Sequence, residues 1–157
     1  MEKKLRKFLR NGSFDNVPKK RSLTMSAIRG KRNRSTELRL RMALVHAGIK
    51  GWQLHARELP GNPDFFFTKK KVAVFVDGCY WHGCPQCGHI PKTRSFFWEA
   101  KIKSNQQRDK RVSMELKKMD ILPMRIWEHE LKRSDLLQKT LTKILMHLKR
   151  HCTHKEG

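Results

Sequence analysis

The stretch Phe75–Cys87 constrains the fold more than any other part of the chain. It begins as a hydrophobic strand ending at Asp77 and continues as a loop broken by glycine and proline, with the sequence FVDGCYWHGCPQC. An acid, a histidine, three cysteines and two adjacent aromatic residues lie within it. Thiols spaced this closely are hard to explain by packing alone. The fold must therefore end a buried strand beside a loop that brings several reactive groups together.

The cysteines of this stretch predict a zinc site. Cys84 and Cys87 have the spacing of a two-ligand zinc knuckle, and Cys79 adds a third sulfur. A structural zinc ion takes four nitrogen or sulfur ligands, so the fourth must come from elsewhere in the chain. His129, at the end of a predicted strand, is the preferred fourth ligand. Two nearer histidines are the alternatives, His82 and His89.

Charge and length limit the classes of function. The chain has 157 residues, which fits one domain, and its 36 Lys and Arg residues against 14 Asp and Glu residues give a net charge of +22. Nucleic acid is the favoured partner, because phosphates would offset the self-repulsion of this charge. A membrane surface ranks lower, since the basic residues do not line one amphipathic helix.

The chain shows no bilayer-spanning run and no secretory signal at its N-terminus. Reduced thiols in the cytoplasm are therefore expected, and metal binding is favoured over a disulfide. The segment 1–20 reads as a basic, flexible extension, 21–150 as the folded domain and 151–157 as a polar tail.

Hydrophobic periodicity predicts a mixed sheet flanked by helices. The expected elements are a helix from Ser35 or Thr36 to Ala47, a short strand at 52–55, a hairpin of 64–68 with 72–77, one or two helices over 94–119, a strand over 121–127 and a helix beginning at Ser134.

Two finer expectations follow from the pattern. In the first helix, Leu38, Met42 and Val45 recur at helical spacing and are expected to form the buried stripe, widened by neighbouring leucines. In the hairpin, a loop at Lys70-Lys71 would place Asp64 directly opposite Asp77, about 5 Å apart at Cβ. A register shift would remove that pairing.

Acidic residues near the strand ends suggest phosphodiester chemistry. Mg²⁺ prefers hard oxygen ligands, and Asp64, together with a group at the end of the next strand, can supply them. His82 is suited to proton transfer near neutral pH. Taken alone, Glu37 is explained by its place in the first turn of a helix, and Asp109 by a helical salt bridge.

The aromatic residues beside polar loops have two readings. Tyr80, Trp81 and Trp98 can pack in a core, or can act as a wedge between DNA bases. Tyr80 and Trp81 are successive, so they cannot both point inward on a strand. The basic segment 21–34, which contains Met25, reads as a solvated loop or as an arm that contacts phosphates.

Several motifs together resemble the very short patch repair endonuclease family. The motifs occur in the family's order between about residues 21 and 131: MSAIRGK at 25–31, TEL at 36–38, PGNPDF at 60–65, FVDGCYWHGCP at 75–85 and IWE at 126–128. The resemblance implies a restriction-endonuclease-like fold of the PD-(D/E)xK superfamily.

The implied activity is nicking of DNA on the 5′ side of the thymine in a T:G mismatch, the lesion left when 5-methylcytosine deaminates. By resemblance, Asp64 is the main Mg²⁺ ligand, and the second contact is the Val76 carbonyl or the Asp77 carboxylate. Glu37 would assist at the metal-bound water.

The resemblance also assigns roles to the remaining residues. His82 would be the acid or base at the scissile phosphate, supported by Asp109. A structural zinc would be held by Cys79, Cys84, Cys87 and His129. The residues expected to contact DNA are Met25, Arg29, Lys31, Tyr80, Trp81 and Trp98.

The chain departs from the best-known family pattern at two positions. Asp77 stands where some members have histidine, and His129 stands where a cysteine can occur. The expected partner is double-stranded DNA with a T:G mismatch, with recruitment by a MutL-type protein, and the expected state is a monomer acting on the bacterial nucleoid. Two alternatives stay open: a restriction-type or phage-associated endonuclease of the same fold, and a non-catalytic zinc-containing DNA-binding protein.

Overall fold

Four strands form a single mixed sheet in the order β1-β2-β3-β4. The computed structural model describes residues 34–150. The helices are α1 (Arg34–His46), α2 (Ser95–Lys118) and α3 (Ser134–Arg150), and the strands are β1 (Trp52–Leu54), β2 (Phe65–Phe67), β3 (Val72–Asp77) and β4 (Leu122–Trp127). The mixed sheet flanked by helices that the sequence predicts is confirmed. The segments 1–20 and 151–157, and the DNA contacts expected from Met25, Arg29 and Lys31, lie outside the described residues.

The two faces of the sheet bury separate cores because strand residues alternate between them. Val72 and Val74 of β3 face the core formed with α1 and α3, whereas Ala73 and Phe75 face the core formed with α2. The first core contains fully buried phenylalanine, leucine and isoleucine side chains from α1, the sheet, the turn after β4 and α3. Of the one or two helices expected over 94–119, the structure has a single helix, Ser95–Lys118.

The parallel pair β3–β4 positions the candidate site. The two strands are joined through α2, and Asp77 at the end of β3 pairs with Trp127 at the end of β4. Because parallel strands end at the same edge, the loop after Asp77 and the turn Glu128–Leu131 meet there. No helix in the described part of the chain is both long and apolar enough to cross a bilayer.

The expected stripe of α1 is correct only for Leu40 and Leu44, which widened it and are buried against the sheet. Leu38, Met42 and Val45, which were expected to lead it, are 55%, 45% and 54% exposed. The helix carries apolar residues around most of its circumference, so periodicity alone gave no unique inward face. The helix ends at His46, one residue before the expected Ala47. Gly48 then adopts φ +69°, and the Ile49 N–H donates to the Leu44 carbonyl at 2.9 Å.

The expected hairpin register is also wrong. Val72 pairs with Phe67 and Val74 with Phe65, a shift of two residues from the predicted pairing of Asp64 with Asp77. The connection is longer than assumed, because Thr68–Lys70 forms a 3₁₀ turn and Lys71 follows in the left-handed conformation. A shift of two preserves which face each side chain points to, but it brings Asp64 level with Phe75 instead of Asp77, and the Asp64 carboxylate accepts from the Val76 N–H.

Candidate active site and zinc centre

Three cysteines and one histidine converge at the edge where β3 and β4 end. The His129 Nδ1 atom lies 3.3 Å from the Cys79 sulfur, 3.6 Å from that of Cys84 and 3.5 Å from that of Cys87. This Cys₃His set matches the donors of a structural zinc site, and the four residues can hold that ion. The parallel register explains the meeting, since Cys79 and His129 each lie two residues beyond the paired Asp77 and Trp127.

The loop that carries the thiols is folded on its own backbone. The Cys84 N–H bonds the Cys79 carbonyl at 2.9 Å, and the Gly88 N–H bonds the Cys84 carbonyl at 2.8 Å. A Cβ atom at Gly88 would lie 2.5 Å from that carbonyl oxygen, so only glycine closes this knuckle. The two histidines considered as alternative ligands lie elsewhere: His89 packs on the Tyr80 ring and His82 bonds Asp109.

The thiols differ in acidity. Burial, and then hydrogen bonding and repulsion from Cys87, raise the pKa of Cys79 to about 12. Burial also acts to raise the pKa of Cys84, but hydrogen bonds from the Cys87 and Gln86 backbones outweigh it, so this pKa lies below its usual value. A cation bound among the sulfurs would favour the thiolate form of both.

A second cluster joins His82, Asp109 and Asp77 below the same loop. The Nδ1 atom of His82 lies 2.5 Å from the Asp109 carboxylate and 3.8 Å from that of Asp77. Burial acts to raise the pKa of Asp109, but the hydrogen bond from His82 and the charges of His82 and Arg125 bring it below its usual value. Asp109 thus engages one ring nitrogen of His82 and leaves Nε2 as the nitrogen that can face a substrate.

Arg125 neutralises both acids of this cluster. Its Nη1 atom donates to the two carboxylate oxygens of Asp77 at 2.8 and 2.7 Å, and its Nη2 atom lies 3.3 Å from Asp109. Its guanidinium also lies over the Phe75 ring, 4.8 Å from the centroid. Both oxygens of Asp77 are therefore engaged by one cation, and Asp77 is 4% exposed.

A third cluster contains Asp64, Glu37 and His55. The Oδ2 atom of Asp64 accepts a hydrogen bond from the Val76 N–H at 2.7 Å, and the His55 Nε2 atom lies 2.9 Å from Glu37 Oε1. The ligand atoms of the three side chains lie within 4.8 Å of one another. Two carboxylates at this spacing supply hard oxygen donors of the kind that Mg²⁺ prefers.

The aromatic residues form one half-buried group on the outside of the loop. Ring centroids of Tyr80 lie 5.1 Å from Trp81 and 5.3 Å from Trp98, and the two tryptophans lie 5.7 Å apart. Asn105 of α2 fixes the loop by donating to the Trp81 carbonyl at 2.7 Å. Trp81 and His82 are successive, so the aromatic group and His82 are held by the same turn.

Most expected site residues in the described part of the chain are thus brought together, but in three clusters. The sequence reasoning missed Arg125 and His55. Arg125 carried a usable signal, because it is the one charged residue in the predicted strand 121–127. His55 carried none until the pairing of β1 with β2 placed it next to Asp64.

Comparison with known proteins settles the family. The family model described as DNA mismatch endonuclease Vsr matches residues 14–88. The type II nicking enzyme V.XorIIP of Xanthomonas oryzae pv. oryzae is 35% identical over 130 residues, which cover 82% of this chain and 93% of that protein. DNA mismatch endonuclease Vsr of Escherichia coli is 34% identical over 128 residues, 80% of each chain. The chain belongs to the very short patch repair endonuclease family.

Another relative matches only in part. The type II nicking enzyme V.NaeI of Lentzea aerocolonigenes is 45% identical over 69 residues, so this chain spans 42% of that protein's length. Membership of the very short patch repair family makes this protein a DNA endonuclease, a hydrolase that acts on DNA. The alternative of a non-catalytic DNA-binding module is therefore wrong.

Proposed function

We propose that this endonuclease nicks the DNA strand 5′ of the thymine in a T:G mismatch produced by 5-methylcytosine deamination, in a Mg²⁺-dependent hydrolysis. One observation carries the proposal: a single turn holds Trp81 in the half-buried aromatic group and His82 against the Asp109 carboxylate. An aromatic group inserted beside a base pair would then set the distance from that pair to the phosphate at which His82 acts. The restriction-endonuclease-like PD-(D/E)xK fold is part of this proposal.

The aromatic group supplies a means of discrimination. Inserting Tyr80, Trp81 and Trp98 requires unstacking, which costs a few kcal/mol per step and less at a mismatched pair. Their rings already contact one another, so little side-chain ordering is needed when DNA binds. Basic residues along the chain would bind the flanking phosphates, including Arg29 and Lys31, while Met25 would enter the opposite groove.

The proposed Mg²⁺ site lies at Asp64 and the Val76 carbonyl. Asp77 is the poorer choice of second ligand, because both of its oxygens are bonded to Arg125 and because Val76, through its N–H, is the residue next to Asp64. Bound there, the ion would polarise the phosphate and lower the pKa of its water. Glu37 would orient that water. Asp77 instead holds Arg125, and through it the Asp109–His82 pair.

The proposed roles of the other groups follow from their contacts. His82 transfers the proton at the scissile phosphate through Nε2, while Asp109 keeps its Nδ1 atom bonded. Structural zinc at Cys79, Cys84, Cys87 and His129 holds the turn that carries both His82 and the aromatic group. A single such site suits a monomer that nicks one strand.

The test is a nicking assay in Mg²⁺ on paired duplexes that carry T:G or C:G at one position, across several flanking sequences. Cutting 5′ of T only in the mismatched duplex is the expected result. Equal cutting of both would favour a restriction-type or phage-associated endonuclease. Asp64→Ala protein should bind the mismatched duplex without cutting it, and residual cutting by that variant would contradict the proposed metal site.

The family resemblance also implies recruitment by a MutL-type repair protein. Addition of a purified MutL-type protein is expected to stimulate nicking of the T:G duplex at low enzyme concentration. The same addition should leave the Asp64→Ala protein inactive.

A further inference from the structure

His55 stands beside the proposed metal site although no motif contains it. Its imidazole Nε2 atom is 2.9 Å from Glu37 Oε1, and both lie within 4.8 Å of a carboxylate oxygen of Asp64. The side chains of His55 and Glu37 are 32% and 13% exposed. The imidazole is therefore within reach of a hydrated ion that Asp64 binds.

The sheet register holds His55 in this place. β1 pairs with β2 so that Leu54 lies opposite Phe65, and the His55 N–H donates to the Asp64 carbonyl at 3.1 Å. His55 is thus the residue that faces Asp64 across the end of the two strands. Its backbone adopts φ 51°, in the left-handed region that residues other than glycine seldom occupy. That turn ends β1 beside the acid.

The chemistry of an imidazole differs from that of the oxygen donors around it. Mg²⁺ is bound by carboxylates, carbonyls and water, whereas a nitrogen ligand suits Mn²⁺ and later transition metals better. If Glu37 needed only a partner of opposite charge, a Lys or Arg residue could fill that role. Histidine instead supplies a neutral donor with a lone pair.

We propose that His55 is a ligand to the divalent cation held at Asp64 and that it shifts the site's preference from Mg²⁺ toward Mn²⁺. This inference rests on the proposed metal site at Asp64. In the metal-free protein the Nε2–H of His55 donates to Glu37. On metal binding that proton is released to solvent, the ring keeps or takes up a proton at Nδ1, and the freed Nε2 lone pair binds the cation. His55 is in that case a determinant of metal choice in this chain.

Pulsed electron paramagnetic resonance of bound Mn²⁺ tests the inference without any cleavage. Zinc-loaded full-length protein is titrated with Mn²⁺, and Asp64→Asn identifies which bound Mn²⁺ belongs to the site. The wild type should show ¹⁴N coupling at that Mn²⁺, and His55→Gln should lose it. Mn²⁺ affinity should fall roughly 10- to 100-fold in His55→Gln, while Mg²⁺ affinity, measured by competition, should change much less.

Control variants exclude other nitrogen sources. His46→Gln, at the exposed end of α1, and His82→Gln should both retain the coupling. His55→Asn provides a second substitution if His55→Gln unfolds at a lower temperature than the wild type. Coupling that survives in both His55 variants would overturn the inference.

Two further results would also overturn it: Asp64-dependent Mn²⁺ without nitrogen coupling in the wild type, and no Asp64-dependent Mn²⁺ binding at millimolar concentrations. Absence of T:G-specific nicking together with intact His55-dependent coupling would count against the proposed function alone, so the two failures are distinguishable.

Discussion

At the level of single residues, Arg125 determines what Asp77 can do. A buried carboxylate with both oxygens bonded to one guanidinium is stable only while its partner is present. Removing either partner alone would therefore leave the other charge without its main counter-ion at the end of β3.

Arg125→Met should destabilise the protein by about 3 kcal/mol, because it leaves Asp77 buried and unpaired. Adding Asp77→Asn to that variant should recover much of the loss, since the orphaned charge is removed. Urea unfolding of the two single variants and the double variant measures this coupling. Additive losses in the double variant would show that the pair is not energetically coupled.

Asp109 should make stability depend on pH. Its pKa is lowered in the folded protein, so the carboxylate stabilises the fold above its ordinary pKa of about 4, and this contribution is lost as pH falls through the lowered pKa. Asp109→Asn should accordingly lose stability at pH 7 but show a smaller further loss between pH 5 and pH 3. Unfolding curves across that range provide the measurement.

Asp120→Asn is the matched control for Asp109→Asn. Asp120 pairs with Lys71 through a side chain that is 76% exposed. Asp120→Asn should therefore lose about as much stability between pH 5 and pH 3 as the wild type does. If Asp109→Asn also loses as much stability as the wild type between pH 5 and pH 3, the Asp109–His82 contact does not have the assigned role in stability.

At the level of elements, α2 is the support on which the loop after β3 rests. Gly83 has φ +64°, and a Cβ atom there would lie 2.7 Å from both Ile102 and Gln106 of α2. Gln106 and Asn105 also donate to backbone carbonyls of the loop. Close contact between loop and helix therefore fixes His82 and the aromatic group as one unit.

Gly83→Ala should destabilise the protein by more than Gly48→Ala does. Both positions have positive φ, which costs an alanine about 1–2 kcal/mol, but nothing lies within 4 Å of a Cβ at Gly48. The clash at Gly83 should add a further ~1–3 kcal/mol and lower the nicking rate. Thermal unfolding and nicking kinetics of the two variants would be compared, and equal losses would argue against tight docking of the loop.

The Cys₃His cluster brings the same loop against the turn that follows β4. Cys84→Ser should reduce zinc content from one ion per chain to near zero. Because the loop would then lose its cross-link to His129, the near-ultraviolet circular dichroism of the Tyr80, Trp81 and Trp98 group should also weaken. Metal analysis of the purified protein gives the zinc content. Cys152→Ser is the control, and a zinc content unchanged in Cys84→Ser would exclude the proposed site.

At the level of the whole molecule, the net charge of +22 governs binding to DNA. The electrostatic contribution comes from the release of counterions, whereas discrimination of the mismatch is proposed to come from stacking, which releases none. Affinity and specificity should then respond differently to salt.

DNA affinity of Asp64→Asn protein should fall by roughly 10³- to 10⁵-fold between 50 and 200 mM salt if six to ten phosphates are contacted. The slopes of log K against log salt should be the same for T:G and C:G duplexes, with the T:G line displaced to higher affinity. Fluorescence anisotropy on labelled duplexes measures both lines. A T:G preference that disappears at high salt would show that specificity is electrostatic.

The sequence by itself determined the mixed sheet, the elements and the chemical content of the site. Cysteine spacing, strand-ending acids and the family motifs are local patterns. They can be recognised without knowing how distant segments of the chain pair with one another. They were sufficient to single out Cys79, Cys84 and Cys87 as candidate ligands and Asp64 and His82 as candidate site residues. They also favoured His129 over its two nearer competitors.

Only the tertiary structure decided which of these groups meet. The parallel register of β3 and β4 joins His129 to the thiols. A longer hairpin turn moves Asp64 away from Asp77, so that its carboxylate bonds the Val76 N–H. Arg125 and His55 enter for the same reason, because strand pairing brings together residues far apart in the chain. Register depends on turn length and on packing across the whole sheet, which no local pattern contains.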